Sequence, residues 1–178
     1  NKNYWFNEEM DKINKEIDNK AWIARNYNNL GLIYSAQGNY PEALKMAFDA
    51  LKIYEALHDT NKVISSYNNI GILYWTQKDY DGALRIYDKA LKMLEGTKDS
   101  SELNHPFNNM AGIYYDLGNY DKALKFYEIS LAIRKQMGDK QLIADSYSNF
   151  GGVYLKMKRY RESLENFKTI IGKEDALN

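Results

Sequence analysis

Apolar positions recur along this chain at helical spacing, in pairs of runs separated by short polar breaks. The first pair reads Tyr27, Leu30, Gly31 and Tyr34, then Ala43, Leu44, Ala47, Ala50, Leu51, Tyr54 and Leu57. Steps of three and four residues put such positions on one stripe of an α-helix, so the pattern predicts two amphipathic helices. The pair then returns every 40 residues. Tyr27-Asn28-Asn29-Leu30-Gly31-Leu32-Ile33-Tyr34 aligns with Tyr67-Asn68-Asn69-Ile70-Gly71-Ile72-Leu73-Tyr74, with Phe107-Asn108-Asn109-Met110-Ala111-Gly112-Ile113-Tyr114 and with Tyr147-Ser148-Asn149-Phe150-Gly151-Gly152-Val153-Tyr154. A helix pair of this size cannot cover its own apolar stripe and must stack on its neighbours. The fold class expected is therefore all-α, a solenoid of helix-turn-helix repeats.

The period divides a single array over residues 1–178 into repeats at 21–60, 61–100, 101–140 and 141–178. Residues 1–20 read as the second helix of a preceding partial repeat, a cap, because Met10, Ile13 and Ile17 align with Ala50, Ile53 and Leu57. Between the helices of a repeat, Gly38-Asn39 and Gly118-Asn119 are expected to close one helix through a left-handed glycine. Lys78-Asp79 and Lys158-Arg159 replace them in the second and fourth repeats, where more strain or a different cap is expected. Pro41 and Pro106 fall at first turns, where a missing N–H costs nothing. The polar joints Asp59-Thr60-Asn61, Asp99-Ser100-Ser101 and Gly138-Asp139-Lys140 separate the repeats. Gly31, Gly71, Ala111 and Gly151 should let adjacent helices approach closely. The last helix, with Ser163, Leu164, Phe167, Ile170 and Ile171, is expected to be exposed on one side, as if further repeats or another domain followed.

Composition narrows the chemistry. Lys plus Arg equals Asp plus Glu at 24 each among 178 residues, and a pI near 6.9 gives no net attraction to nucleic acid or acidic membranes. The absence of cysteine removes disulfides and thiolate metal sites and leaves the compartment open, a cytoplasmic setting being expected over export. No stretch of 18 apolar residues is present, so no membrane insertion is expected. Two prolines beside 16 tyrosines and 27% charged residues describe a folded, helical chain.

The repeat resembles the tetratricopeptide repeat, in which an aromatic, two residues, Leu-Gly, two residues and Tyr are followed by Ala, three residues and an aromatic. Ala83 with Tyr87, Ala123 with Tyr127 and Ser163 with Phe167 supply the second half, whereas the first repeat has Ala43 with Ala47. The 40-residue unit is longer than the common 34 and lacks the closing proline. It is similar to the repeats of kinesin light chains, spindle-orientation adaptors and bacterial signalling proteins. The resemblance implies a right-handed α-α superhelix whose concave groove, lined by first helices, binds a peptide or extended protein segment. Fold alone does not establish that function.

Asn29, Asn69, Asn109 and Asn149 occupy one position in four successive first helices and are expected to form a row on that groove. An amide side chain offers both a donor and an acceptor to a peptide backbone. Asparagine also costs about half a kcal/mol against alanine in a helix, so four in register point to a compensating role. Ligand contact and hydrogen bonding between neighbouring helices both supply one. The same alignment adds Arg25, Leu32 and Ser35, then Ser65, Ile72 and Trp75, then His105, Gly112, Tyr115 and Asp116, and finally Asp145, Gly152, Leu155 and Lys156. The form of the family that clamps a C-terminal carboxylate needs Lys and Arg where the third repeat has His105 and Asn109, so that ligand is not expected. Trp75 and Tyr115 are candidates for anchoring apolar side chains, and equally for packing.

No reaction chemistry emerges from the sequence, and neither cofactor nor metal is expected. His58 and His105 lie 47 residues apart and form no ligand set. Gly151-Gly152 belongs to a packing helix, not to a phosphate loop. Tyrosines at repeated positions, Tyr34, Tyr74, Tyr114 and Tyr154 or Tyr40, Tyr80, Tyr120 and Tyr160, are expected in the core. The leading reading is a non-catalytic interaction scaffold, the interaction or sensing part of a larger protein. Two alternatives stand beside it: self-association through the exposed end helices, and a regulatory domain of a sensor kinase or transcription factor.

Overall fold

The computed structural model describes the backbone of residues 2–94 and 103–174, with side chains at 12, 13, 15–94 and 103–172. All secondary structure among these residues is helical. Eight helices follow in order: α1 (Lys2–Ala36), α2 (Tyr40–Ala56), α3 (Thr60–Thr76), α4 (Tyr80–Leu94), α5 (Asn104–Asp116), α6 (Tyr120–Met137), α7 (Lys140–Lys156) and α8 (Tyr160–Glu174). The Asp99-Ser100-Ser101 joint and the Met10 side chain lie outside the described residues. The chain divides into two compact units, Asn1–Ile86 and Tyr87–Asn178. In the first, α1 packs on α2 and α2 on α3; in the second, α5, α6, α7 and α8 pack each on the next.

One expectation about the N-terminus is corrected. The predicted cap does not end near residue 20, because α1 runs unbroken for 35 residues into the first helix of the first repeat. The stretch Asn19-Lys20-Ala21-Trp22 contains neither glycine nor proline, and nothing in it interrupts the i to i−4 ladder. Lys20 pairs with Glu16 one turn earlier at 2.7 Å, across the expected break. Ile13 and Ile17 remain 44% and 45% exposed, so they do not pack as core residues.

The turns share one hydrogen-bond pattern. Gly38 N–H donates to Ser35 C=O at 3.0 Å, and Asn39 N–H reaches back to Tyr34 C=O at 2.8 Å. The same two bonds recur at Lys78 and Asp79, at Gly118 and Asn119, and at Lys158 and Arg159. This closure needs a left-handed pivot. Gly38 and Gly118 take φ of 75° and 73°; Lys78 and Lys158 are held at 61° and 60°, and His58 at 54° in the joint after α2. The strain expected at the two lysines is therefore present without any change of cap.

Apart from Asn39, whose side chain makes no cap bond, and Arg159, the residue after the pivot caps the following helix. Asp79 accepts from Gly82 N–H at 2.8 Å, Asn119 from Lys122 N–H at 3.2 Å, and Asp59 and Asp139 do the same at the joints. Arg159 cannot accept, and instead its guanidinium meets Glu162 at 2.8 Å. Glu162 is held below the usual carboxylate range, first by its own backbone amide and then by Arg159.

Small residues set the spacing between helices. Ala43, Ala83 and Ala123 are fully buried, and Ser163, their counterpart in α8, donates its hydroxyl to the Gly151 carbonyl at 2.8 Å. A side chain added at Gly31 would lie 3.4 Å from the Ala43 carbonyl, whereas one at Gly151 would lie 2.7 Å from the Phe167 ring. Most of the repeated tyrosines meet the core expectation: Tyr34, Tyr40 and Tyr74 pack half-buried against the core of the first unit, and Tyr114, Tyr120 and Tyr154 against that of the second. Tyr160 departs from it at 63% exposed. Tyr114 stacks on Phe126 at 5.4 Å with Lys122 over its ring, and Arg159 covers Tyr154.

Two predictions follow from these backbones. Lys78→Gly and Lys158→Gly should each raise stability by about 0.5–1 kcal/mol, while Gly118→Ala should lower it by about 1 kcal/mol, read from urea midpoints. Gly151→Ala should cost about 1–3 kcal/mol because the Phe167 ring must move, whereas Gly31→Ala, with ordinary contacts and a better helix former, should be neutral or stabilising.

Candidate functional site

Helical phase places the candidate residues on one stripe of each first helix. Arg25, Asn29 and Leu32 on α1 and Ser65, Asn69 and Ile72 on α3 step by four and three residues, and all six are exposed. Leu32 and Ile72 are apolar yet 65% and 41% exposed, unusual for a repeat core. Trp75, one turn on, is half-buried. Between α1, α2 and α3 lies a shallow hollow of about 110 Å³. It brings Leu32, Asn69 and Ile72 together with Asn28, Gly31, Ser35, Ala47 and Leu73, and leaves Arg25, Asn29, Ser65 and Trp75 outside its lining.

The second unit carries the equivalent stripes differently. His105, Asp116, Asp145 and Lys156 are exposed; Asn109, Tyr115 and Asn149 are half-buried. Asn149 donates to the Asn108 side chain at 3.1 Å and so ties α7 to α5. Asn109 sits beside the buried Tyr87 phenol, which burial pushes well above its ordinary range while the Asn109 amide acts in the opposite direction. That contact falls short of ordinary hydrogen-bond geometry, and the Tyr87 hydroxyl has no other partner. The Tyr115 ring packs edge-on against Tyr120 at 5.9 Å.

The asparagines therefore behave as staggered pairs. Asn28 with Asn69 borders one hollow, and Asn108 with Asn149 forms a hydrogen bond, each at an offset of one repeat plus one residue. Sequence reading singled out the second asparagine of each Asn-Asn and missed the first. Its signal was available in the spacing of Asn28, Leu32 and Ser35, which share a helix face. Asn28 also reaches the Tyr54 phenol, whose pKa is raised chiefly by burial and opposed by Arg25.

A second polar feature was not anticipated. Arg134 of α6 is only 4% exposed. It donates to Ser146 Oγ at 2.9 Å, to the Leu142 carbonyl at 3.0 Å and to Asn104 Oδ1 at 3.4 Å, and Ser130 donates to the Asn104 carbonyl at 3.2 Å. Burial lowers its pKa, and Asp145, Tyr127 and Asp139 oppose that shift. Burial also pushes the neighbouring Tyr127 phenol up to about 12, with Asp116 and Tyr115 adding to the rise. Asp145 thus faces a buried cation from an exposed position. In the other repeats this position holds Tyr54, Leu94 and Glu174, so the period itself gave no warning of an arginine.

Among the described residues no three His, Asp or Glu side chains converge as metal ligands, and no helix is long and apolar enough to cross a membrane. The sequence profile of the tetratricopeptide repeat matches residues 18–96 and 102–171. The chain belongs to the tetratricopeptide repeat family. Solved structures to which this TPR chain is similar include the following three. BtubC (BKLC) from P. vanneervenii superposes at TM-score 0.74 with 23% identity, over 87% of this chain and 64% of BtubC. A putative kinesin light chain of Podosopora anserina with nearly identical TPR-like repeats gives 0.72 and 15%, over 88% and 76%. A Rap protein complexed with competence and sporulation factor gives 0.74 and 17%, over 88% and 43%. No curated protein matches the chain in sequence. At these identities the likeness carries the fold, an all-α TPR solenoid like that of kinesin light chains. TPR domains are generally non-catalytic scaffolds for protein–protein interaction.

Replacing Arg134 by Met should lower unfolding free energy by about 2–4 kcal/mol, since Asn104 Oδ1 and the Leu142 carbonyl each lose a charged donor in a buried setting. Asp145→Asn, at the exposed rim, should stay within about 0.5 kcal/mol in the same urea titration.

Proposed function

We propose that this TPR chain holds a peptide or extended protein segment along the exposed face of its first helices, as the interaction part of a larger protein. The observation that carries the reading is the face of α1 and α3. There Leu32 and Ile72 expose apolar surface between the uncovered amides of Asn29 and Asn69. Apolar side chains supply the free energy of burial, and amides supply donors and acceptors that accept any backbone without selecting its sequence. Neighbouring first helices about 10 Å apart would meet an extended segment about every third residue, at 3.3 Å per residue.

The exposed amides favour this work over a purely structural one in the first unit. Asn149 and Asn109 of the second unit are already engaged inside the fold, which supports a mainly structural part for them. A Rap protein of the same fold is found in complex with competence and sporulation factor, so the scaffold is compatible with holding such a partner. The near-zero net charge gives no reason to choose a strongly acidic or basic segment.

Self-association is the second reading, resting on Leu164 and Ile171, 54% and 60% exposed and two turns apart on α8. Both readings are tested together with a segment captured on the immobilised chain. Its affinity should fall about tenfold or more in the Asn69→Ala, Leu32→Ala double variant, by loss of one hydrogen bond and one apolar contact, and stay unchanged in Leu164→Ser. Unchanged binding by the double variant would remove the basis of the groove reading. Sedimentation that shifts with concentration and is restored to monomer by Leu164→Ser would favour self-association instead.

A further inference from the structure

The hollow of the first unit exists because one repeat lacks its aromatic. Tyr87, Tyr127 and Phe167 occupy one position of the second helix in the later repeats, and Ala47 occupies it in the first. Phe167 shows what the larger side chain does there: its ring lies over Gly151, so close that no Cβ fits between. Gly31 is the counterpart of Gly151, and the nearest atoms to a Cβ built there are the Ala43 carbonyl oxygen, the Met46 Cβ and the Ala47 nitrogen, at 3.4 Å or more, with no ring atom among them. Tyr127 shows the far side of the same place, its ring 6.1 Å from that of Phe150 in the next first helix, the counterpart of Ile70.

Tyr87 shows where a hydroxyl would go. Its phenol stands beside Asn109, short of a hydrogen bond to it, and the counterpart of Asn109 is Asn69, which lines the hollow with an exposed amide. Two separate contacts thus map onto one cavity: ring against glycine, and phenol beside asparagine. Gly31, Ala47, Ile72 and Leu73 give it apolar walls, while Asn28, Ser35 and Asn69 bring polar atoms to its mouth.

We propose that this hollow is a subsite for a single tyrosine side chain of the bound segment, its ring seated over Gly31 against Ala47 and its hydroxyl meeting the Asn69 amide. The ligand supplies from outside the aromatic that three other repeats carry within. Phenylalanine would desolvate the Asn69 amide without offering it a partner, so a phenol is preferred over a plain ring. A long aliphatic such as leucine lacks the flat shape that lies over a helical glycine. This inference rests on the groove reading above and adds to it the identity of one anchoring side chain.

The test uses p-cresol and toluene, the side-chain analogues of tyrosine and phenylalanine, titrated into the ¹⁵N-labelled chain. p-Cresol should shift the amides of Gly31, Ala47 and Asn69 first, and toluene should do so about tenfold more weakly for want of one hydrogen bond. Ala47→Phe, which places the chain's own ring in the hollow, should abolish these shifts and raise the melting temperature. p-Cresol shifts that centre elsewhere, or that survive in Ala47→Phe, would overturn the subsite. Should Ala47→Phe not fold, Asn69→Leu takes its place: it must erase the preference for p-cresol over toluene, and a retained preference overturns the proposal equally. A captured segment whose binding fails in the Asn69→Ala, Leu32→Ala variant yet persists undiminished in Ala47→Phe would sink the tyrosine subsite alone and leave the groove reading standing.

Discussion

Close approach of paired helices at a glycine is the constraint on which this structure depends. Gly31 lies against the Ala43 backbone and Gly151 beneath the Phe167 ring, with Ala43, Ala83, Ala123 and Ser163 completing the contact in their repeats. Helices this near one another bury alanines such as Ala43, Ala83 and Ala123 completely at the contact, beside larger side chains such as Ile70, Ile113 and Val153, so each repeat has a thin core. Such a core is sufficient only when another helix covers its remaining side. What cannot be covered stays outside, which is why Leu32, Ile33 and Ile72 face solvent on first helices. The proposed binding surface is a by-product of how the layers are spaced.

Against that regular frame, the proposed function rests on the places where repeats differ. Position for position, Ala47 stands where three aromatics stand, and a hollow opens between α1, α2 and α3. Asn69 borders it from an exposed position, while Asn149 spends its amide on Asn108. The asparagine pairs show the two uses that one residue type has in a single fold. Where a hydrogen-bonding neighbour is in reach, the amide joins helices; where the neighbouring wall has receded, it stays exposed, as the proposed ligand contact requires.

The fold could be read from the sequence because its determinants are local and repeated. The spacing of Tyr27, Leu30 and Tyr34 fixes a helix, Gly38 fixes where it stops, and the four copies reinforce one another. Even the lysine pivots at 78 and 158 were marked by their alignment with glycine. Three features escaped for physical reasons. The separate cap at residues 1–20 was inferred from matching apolar positions, yet helix continuity depends on the absence of a breaker, and none occurs near Asn19. The hollow depends on what Ala47 fails to fill, a property of three helices together. Arg134 was invisible because the period predicts an apolar or exposed residue, and only tertiary packing supplies the oxygen atoms that make a buried guanidinium tolerable. The stripe residues Arg25, Asn29 and Leu32 or Ser65, Asn69 and Ile72 were placed by helical phase alone; which of them face a common cavity was not.

A chain made of look-alike parts risks mispairing, since the second helix of one repeat can settle against the wrong first helix with nearly the same apolar fit. Arg134 distinguishes the correct neighbour. Its guanidinium meets Asn104 on one side and Leu142 and Ser146 on the other. Slid by one repeat, it would find Ile64 in place of Asn104 and lose the partners that offset its desolvation. One buried guanidinium thereby serves as an index mark for α5, α6 and α7, the layers of the second unit that it joins.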